Sequence, residues 1–500
     1  MILLENISNL LMGFQLALSF TNIMVCLLGI VVGVIIGALP GFGPAAGVAI
    51  LLPMTFGMPP STAMIMLCGI YFGAMFGGAI SAILINTPGD SAAVMTSLDG
   101  YPLAQQGKAG PALGMSTIAS FIGGTVGVIA LTLIAPIIAK FAVSFGPPEY
   151  FGLMVLGLTT LAGMTGKDAT KGFMMALLGL FLSVIGADIM TGQQRFVFGI
   201  PSLWVGIDFI PVVMGLFGLS EVLINCEEDI KITMQKMKLT LRNILPSKQD
   251  MKDSIGALSR GSILGFFIGV LPGAGATIAS FISYSTAKKI SKHPEKFGKG
   301  AIEGVAAPES ANNAAASGAM VPLLTLGLPG SGTTAVILGA LLMLGLNPGP
   351  LLFRDNPEFV FTIIASLYFA NIMLVILNLV GIPAFTSVLK VPYSILMPCI
   401  VIFLILGVYS LEFTMINVWI MIFFGIVGYF MKKMDYPGAP LVLALVLGPI
   451  TEQSLRRSLA LSHGDFGVFF TSPISCTLII ISILVVIWPL IKGRFIKKKA

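Results

Sequence analysis

Gly37-Ala-Leu-Pro-Gly-Phe-Gly43 interrupts a stretch, Leu10 to Gly89, in which no residue carries a formal charge. That stretch is several times longer than the roughly 20 apolar residues that cross a bilayer as one helix. A Gly/Pro break inside it falls at membrane depth, where each unpaired backbone N–H or C=O costs several kcal/mol. Such a break survives only when protein buries it or water reaches it. The pattern returns as Gly269-Val-Leu-Pro-Gly-Ala-Gly275. Paired breaks in two halves of a hydrophobic chain are a sequence pointer to a transporter site. The expected fold is an all-α integral membrane protein of roughly a dozen spans in two inverted repeats with broken or re-entrant helices.

Composition supports a membrane chain. Hydrophobic residues make up 56% of it and charged residues 10%, against roughly 25% charged in a soluble domain. Gly172 to Ala187 is a second charge-free run. The start, Met1 to Leu18, has neither a basic n-region nor a small-residue cleavage site, so it is read as part of the mature protein. Five cysteines are scattered without metal-type spacing, and His293 and His463 lie far apart, which argues against zinc or haem. The net charge of +6 comes from loops and the tail and orients the chain; it does not imply nucleic acid. Walker A, H-E-x-x-H and G-x-S-x-G motifs are absent, so the chain is expected not to be an enzyme.

Order is kept between the halves. Thr87-Pro-Gly-Asp-Ser91 returns in outline as Leu328-Pro-Gly-Ser-Gly332, Ile118-Ala-Ser120 as Ile364-Ala-Ser366, and Pro211, Gly218 and Glu221 as Pro440, Gly448 and Glu452. The separations lie between about 229 and 248 positions, as duplication of a half-transporter gives. The chain divides into a first repeat (1–226), a basic cytoplasmic linker (227–260), a second repeat (261–460) and a further span with a basic tail (461–500). Lys231, Lys236, Lys238, Lys248 and Lys252 in the linker place it inside by the positive-inside rule, and an acid-bearing, base-free start places the N-terminus outside.

Four breaks are expected to form the site: Pro40, Gly41 and Gly43; Pro88, Gly89 and Ser91; Pro272, Gly273 and Gly275; and Pro329, Gly330, Ser331, Gly332, Thr333 and Thr334. A Pro-Gly pair ends one half-helix and the small residues after it begin another, which aims N–H groups at a place suited to an anion. Hydroxyls at Ser91, Ser331, Thr333 and Thr334 add donors. Asn86, Asp90, Glu309, Asn312 and Asn313 supply oxygens for a coupling cation, sodium or proton, with no other metal or cofactor. Bland alternatives stand beside these readings. The breaks serve equally as Pro kinks or close helix contacts, Asp90 as the N-cap of a helix starting at Ser91, and Ala307 to Gly318 as a solvated loop. Asp188, Asp208, Glu221, Glu412 and Glu452 read as interfacial caps or ion pairs, and Arg195 as a loop charge.

Taken together, Gly37-Ala-Leu-Pro-Gly-Phe-Gly, Asn86-Thr-Pro-Gly-Asp-Ser, Gly269-Val-Leu-Pro-Gly-Ala-Gly, Ala307-Pro-Glu-Ser-Ala-Asn-Asn-Ala and Gly327-Leu-Pro-Gly-Ser-Gly-Thr-Thr-Ala resemble the large membrane subunit of the tripartite tricarboxylate transporters. The resemblance spans nearly the whole chain. It implies a small membrane subunit and a periplasmic solute-binding protein as partners, a citrate-like or other carboxylate substrate, import driven by a cation gradient, and the cytoplasmic membrane of a bacterium or archaeon. A channel-like anion pore is the alternative, with a membrane-embedded enzyme behind it.

Overall fold

The computed structural model describes residues 2–164, 168–188, 191–227, 241–273, 275–388 and 393–497. Linker residues Lys231, Lys236 and Lys238 lie outside the described residues. The first half runs α1 (Ile2–Ala17), α2 (Phe20–Ala38), α3 (Gly43–Leu51), α4 (Pro60–Ile85), α5 (Val94–Gln105), α6 (Ala109–Ala142), α7 (Pro147–Met164) and α8 (Ala169–Ser183). A short hairpin of β1 (Gly186–Ala187) and β2 (Gln194–Arg195) follows, and then α9 (Phe209–Val213) continues through a π-helical turn into α10 (Ser220–Glu227). After α11 (Leu241–Ile244), the second half runs α12 (Lys248–Val270), α13 (Gly275–Ile290), α14 (Glu303–Leu326), α15 (Gly332–Met343), α16 (Pro350–Asp355), α17 (Pro357–Val388), α18 (Tyr393–Glu412), α19 (Met415–Lys433), α20 (Gly438–Leu461), α21 (Val468–Thr471) and α22 (Pro473–Lys497).

Among the described residues, 8 helices are long and apolar enough to cross a membrane, with shorter apolar helices at Gly43–Thr55, Ala169–Ser183, Gly332–Met343 and Pro473–Ile487. The chain is a multi-pass, all-α membrane protein. Helix α12 begins at Lys248, where Ser247 and Asp250 form a reciprocal capping box.

Glycine decides how the breaks are held. A Cβ at Gly33 would lie 2.4 Å from the Ile70 carbonyl oxygen, and one at Gly37 2.2 Å from that of Ala74, so α2 and α4 touch backbone to backbone. Gly265 and Gly269 meet the Ala311 and Ala315 oxygens at 2.2 and 2.3 Å, the same contact between α12 and α14. Residue numbers rise together on both partners, so each pair is parallel. The intervening helix must therefore turn back: α3 returns along α2, with Gly47 against Ile36 and Ile70, and α13 returns along α12, with Ser283 Oγ 3.0 Å from where a Cβ on Gly261 would sit. Each half thus contains a helical hairpin that enters and leaves on the same side. Small residues at such contacts let van der Waals packing replace the hydrophobic drive that lipid does not supply.

Helix α14 is buried from Gly304 to Thr325. The Ala307-to-Gly318 run is therefore core helix, not solvated loop, and its small side chains let α12, α6 and α13 approach from three sides. Packing sorts the helices into two bodies. In one, α14 and α4 lie among α2, α5, α6, α12, α13 and α17, with α1 on α17; in the other, α7, α8, α9, α10, α18, α19, α20 and α22 pack together. Helices α3 and α15 lie between the bodies and touch both.

Candidate functional site

The two breaks of each half meet. In the first, the Gly43 N–H donates to the Gly89 carbonyl at 3.1 Å, and a Cβ on Gly43 would sit 3.5 Å from Asp90 Cβ. In the second, the Gly273 N–H donates to the Gly330 carbonyl at 3.2 Å, and Gly275 faces Ser331. Both turns need residues with positive φ: Gly41 and Gly43 at +84° and +57°, and Gly273 and Gly275 at +83° and +61°. An L side chain resists that conformation, which explains why Pro-Gly-x-Gly stands at both places.

The halves join through two hydroxyls. Ser91 Oγ and Thr277 Oγ1 lie 2.7 Å apart, at the starts of the helices leading into α5 and α13. Ser91 is exposed, Thr277 half-buried. With α3 packed on α15, the beginnings of α3, α5, α13 and α15 gather in one place. Thr277, the third residue of α13, closes the Leu271-to-Thr277 break but was not among the residues expected to bind.

Caps use some of the expected donors. Asp90 is the N-cap of the turn that begins at Ser91 and accepts from the Ala93 N–H at 2.8 Å. Ser331 and Thr334 form a capping box in which each backbone N–H donates to the other's hydroxyl, at 2.8 and 3.3 Å. Thr333 and Pro329 are buried and Gly332 half-buried. Pro40 is buried, Pro88 and Pro272 are half-buried, and Gly41 points at Glu221 and Asn225, away from Ser91. Asn86 closes α4 in the left-handed conformation at φ 55°, exposed.

Glu309, Asn312 and Asn313 form a second, deeper cluster on one face of α14. Glu309 Oε1 accepts from Thr96 Oγ1 of α5 at 2.5 Å and its Oε2 from Ser120 Oγ of α6 at 3.0 Å. Asn313 Nδ2 donates to Asn312 Oδ1 at 2.5 Å and to the Glu309 carbonyl at 3.1 Å. Thr96 and Ser120 stand 213 and 189 positions from Glu309, and nothing local in the sequence marks the pairing.

Asp99, also unmarked in the sequence, is fully buried in the middle of α5. Its Oδ1 accepts from the N–H groups of Gly298, Gly300 and Ala301, and its Oδ2 from the Tyr284 hydroxyl at 2.8 Å. Beside it opens a cavity of about 1560 Å³, lined by the ends of α5 and α13, by Lys108, Lys252, Arg260, Lys292, Lys296 and Lys299, and by the acids Asp250, Asp253, Glu295 and Glu303.

The remaining acids behave as caps and ion pairs. Asp208 caps α9, Glu221 pairs with Lys432, and Glu412 accepts from Asn417. At the hairpin, Arg195 binds Glu452 through both terminal nitrogens at 2.8 and 3.2 Å, and Arg456 binds Asp188 at 2.9 Å and Glu452 at 2.6 Å. The hydrogen bonds to Glu452 raise the Arg195 guanidinium above its ordinary value. Arg195 is thus tied down and does not stand free as a loop charge.

The profile of the tripartite tricarboxylate transporter TctA family matches residues 23–443. The chain belongs to that family. It is 44% identical over 487 residues to an uncharacterised 52.8 kDa protein in the TAR-I ttuC' 3' region of Agrobacterium vitis, covering 97% of this chain and 96% of that one. It is 46% identical over 227 residues to an uncharacterised protein in the TAR-II ttuC' 3' region of the same organism, covering 45% of this chain and 94% of that one. No solved structure matches. Family membership makes the chain a subunit of a tricarboxylate transporter that works with partner subunits.

Proposed function

We propose that this chain is the carrier of an ion-gradient-driven importer, taking citrate or a related carboxylate from a periplasmic binding protein across a bacterial or archaeal cytoplasmic membrane beside a small membrane subunit. The gathering of the starts of α3, α5, α13 and α15 around the Ser91–Thr277 pair carries the reading. Helix starts present N–H groups and the positive ends of their dipoles, which favours carboxylate oxygens without a fixed arginine.

On this reading the halves are inverted repeats. Helix α3 corresponds to α13 and α5 to α15, yet α3 and α15 lead away from the site toward one end while α5 and α13 lead toward the end with the basic cavity. By the positive-inside rule that end is cytoplasmic. Helices α3 and α15 pack against α9, α18 and α20 of the second body, whereas α5 and α13 pack on α4, α6, α12 and α14 and border the cavity. Transport is movement of one body against the other, with α3 and α15 as the sliding contact.

The test is uptake of radiolabelled citrate, succinate and benzoate into vesicles holding this chain, its small partner and its binding protein. Saturable uptake that needs the gradient and the binding protein is expected, and Ser91→Ala with Thr277→Val should raise KM at least tenfold. Uptake that never saturates and ignores the binding protein would point to a channel instead; an unaltered KM in the double variant would remove the hydroxyl pair from the site.

A further inference from the structure

Glu309 has no counter-charge. It is fully buried in α14, and the side-chain partners of its carboxylate are the neutral hydroxyls of Thr96 and Ser120. Among the described residues no ion pair reaches it, and the charged group within electrostatic range is another acid, Asp90. An ionised carboxylate cannot stay so placed without either a positive charge beside it or a proton on it. A second observation points to a missing ligand. One turn along the same face, Asn313 Oδ1, an acceptor, is fully buried without a hydrogen-bond partner. Orphaned polar atoms are rare in a packed interior and call for an occupant.

The geometry points to Glu309, Thr96, Ser120 and Asn313 as the seat of the coupling cation, one monovalent charge that rides with the carboxylate. This rests on the transport reading above and adds the place of coupling to it. The donor set is all oxygen: a carboxylate, two hydroxyls and the unpartnered amide oxygen of Asn313, a set suited to sodium. A proton on the carboxylate would neutralise it equally, and the two sources are separated by experiment. Coupling follows from connectivity. Thr96 lies on α5, five residues beyond Ser91, so the group that binds the cation and the hydroxyl that faces the substrate share one short rigid segment. With the seat filled, Thr96 holds α5 to α14 and Ser91 stands opposite Thr277. With it empty, the bare carboxylate repels Asp90, the N-cap of that same segment, and the substrate seat loosens.

The decisive variant is Glu309→Gln, which keeps shape, accepts from one of the two hydroxyls and donates to the other, and carries permanent neutrality. Vesicles holding the full complex are assayed in two modes: accumulation of radiolabelled citrate against its gradient, driven separately by a sodium gradient and by a proton gradient, and exchange of external label for internal unlabelled citrate with no gradient. The wild-type complex should accumulate citrate with one of the two gradients, which identifies the cation. Glu309→Gln should lose accumulation at least tenfold and keep exchange within threefold. Retained accumulation with unchanged cation dependence overturns the assignment, as does loss of both modes in a variant that elutes as folded protein. Should Glu309→Gln fail to fold, Thr96→Val with Ser120→Ala decides: a rise of fivefold or more in the cation concentration for half-maximal uptake supports the seat, and no rise overturns it. Wild-type vesicles that transport no carboxylate would refute the transport reading itself, a result separate from all of these.

Discussion

Removal of the Asp99 carboxylate should release the loop that closes the α13–α14 connection. Asp99 gathers three backbone donors at 2.8–2.9 Å and one phenol at 2.8 Å. In Asp99→Ala the N–H of Gly298, which is exposed, regains water at little cost, and that of the half-buried Gly300 does so in part. Ala301 and Tyr284 are buried, at 6% exposure each. Their donors have nowhere to go, and each unsatisfied buried group costs about 1–3 kcal/mol. The expected loss is about 4 kcal/mol, near the upper end of what single substitutions do. Asp99→Asn keeps an oxygen for the backbone donors and forfeits only the Tyr284 acceptor, so about 1–2 kcal/mol is expected. Unfolding free energies in detergent by denaturant titration give the two losses, and hydrogen exchange over residues 297–302 locates them. Exchange of Ala301 unchanged in Asp99→Ala, with stability within about 1 kcal/mol of the parent, would refute the account of this carboxylate as the loop's anchor.

Gly89→Ala should be far more damaging than Gly438→Ala, because the new methyl would lie 1.8 Å from the Gly37 carbonyl oxygen in the first case and 3.4 Å from a Phe217 ring carbon in the second. A loss of about 3 kcal/mol against none within error is expected, read as thermal stability in detergent; equal stabilities would mean that the break after α4 is not packed tightly on α2. Asp188→Asn should leave Arg195 and Arg456 facing each other across Glu452 and free the β1–β2 hairpin, at about 1–2 kcal/mol after allowance for partial solvent exposure. Limited proteolysis between residues 191 and 206 reports it, and a cleavage rate equal to that of the parent would show that the hairpin is held by other contacts.

Fold class was legible in the sequence because it depends on local composition. A charge-free stretch from Leu10 to Gly89 has no soluble solution, and Pro-Gly-x-Gly at Pro40 and Pro272 marks turns whose φ angles few residues but glycine accept. Asp208 was legible for the same reason: it stands where an N-cap belongs, one residue before its helix. Asp90, expected to bind a cation, stands at a cap position as well, which was the other reading of that residue. The Ala307-to-Gly318 run was ambiguous, since small polar residues suit a wet loop and a crowded helix equally. Only the glycine faces of α12 and α6 closing on it decide for the helix.

What tertiary structure alone decided is who stands opposite whom. Ser91 finds Thr277 across 186 positions, Glu309 finds Thr96 and Ser120, and Asp99 finds the loop from Gly298 to Ala301. The sequence by itself determined that there would be buried breaks with helix starts on either side of them, because bilayer, proline and glycine act within a few residues. It did not determine the partners, because a hydrogen bond between helices depends on the crossing of elements far apart along the chain, and in this protein those crossings are set by which glycine faces let two backbones touch.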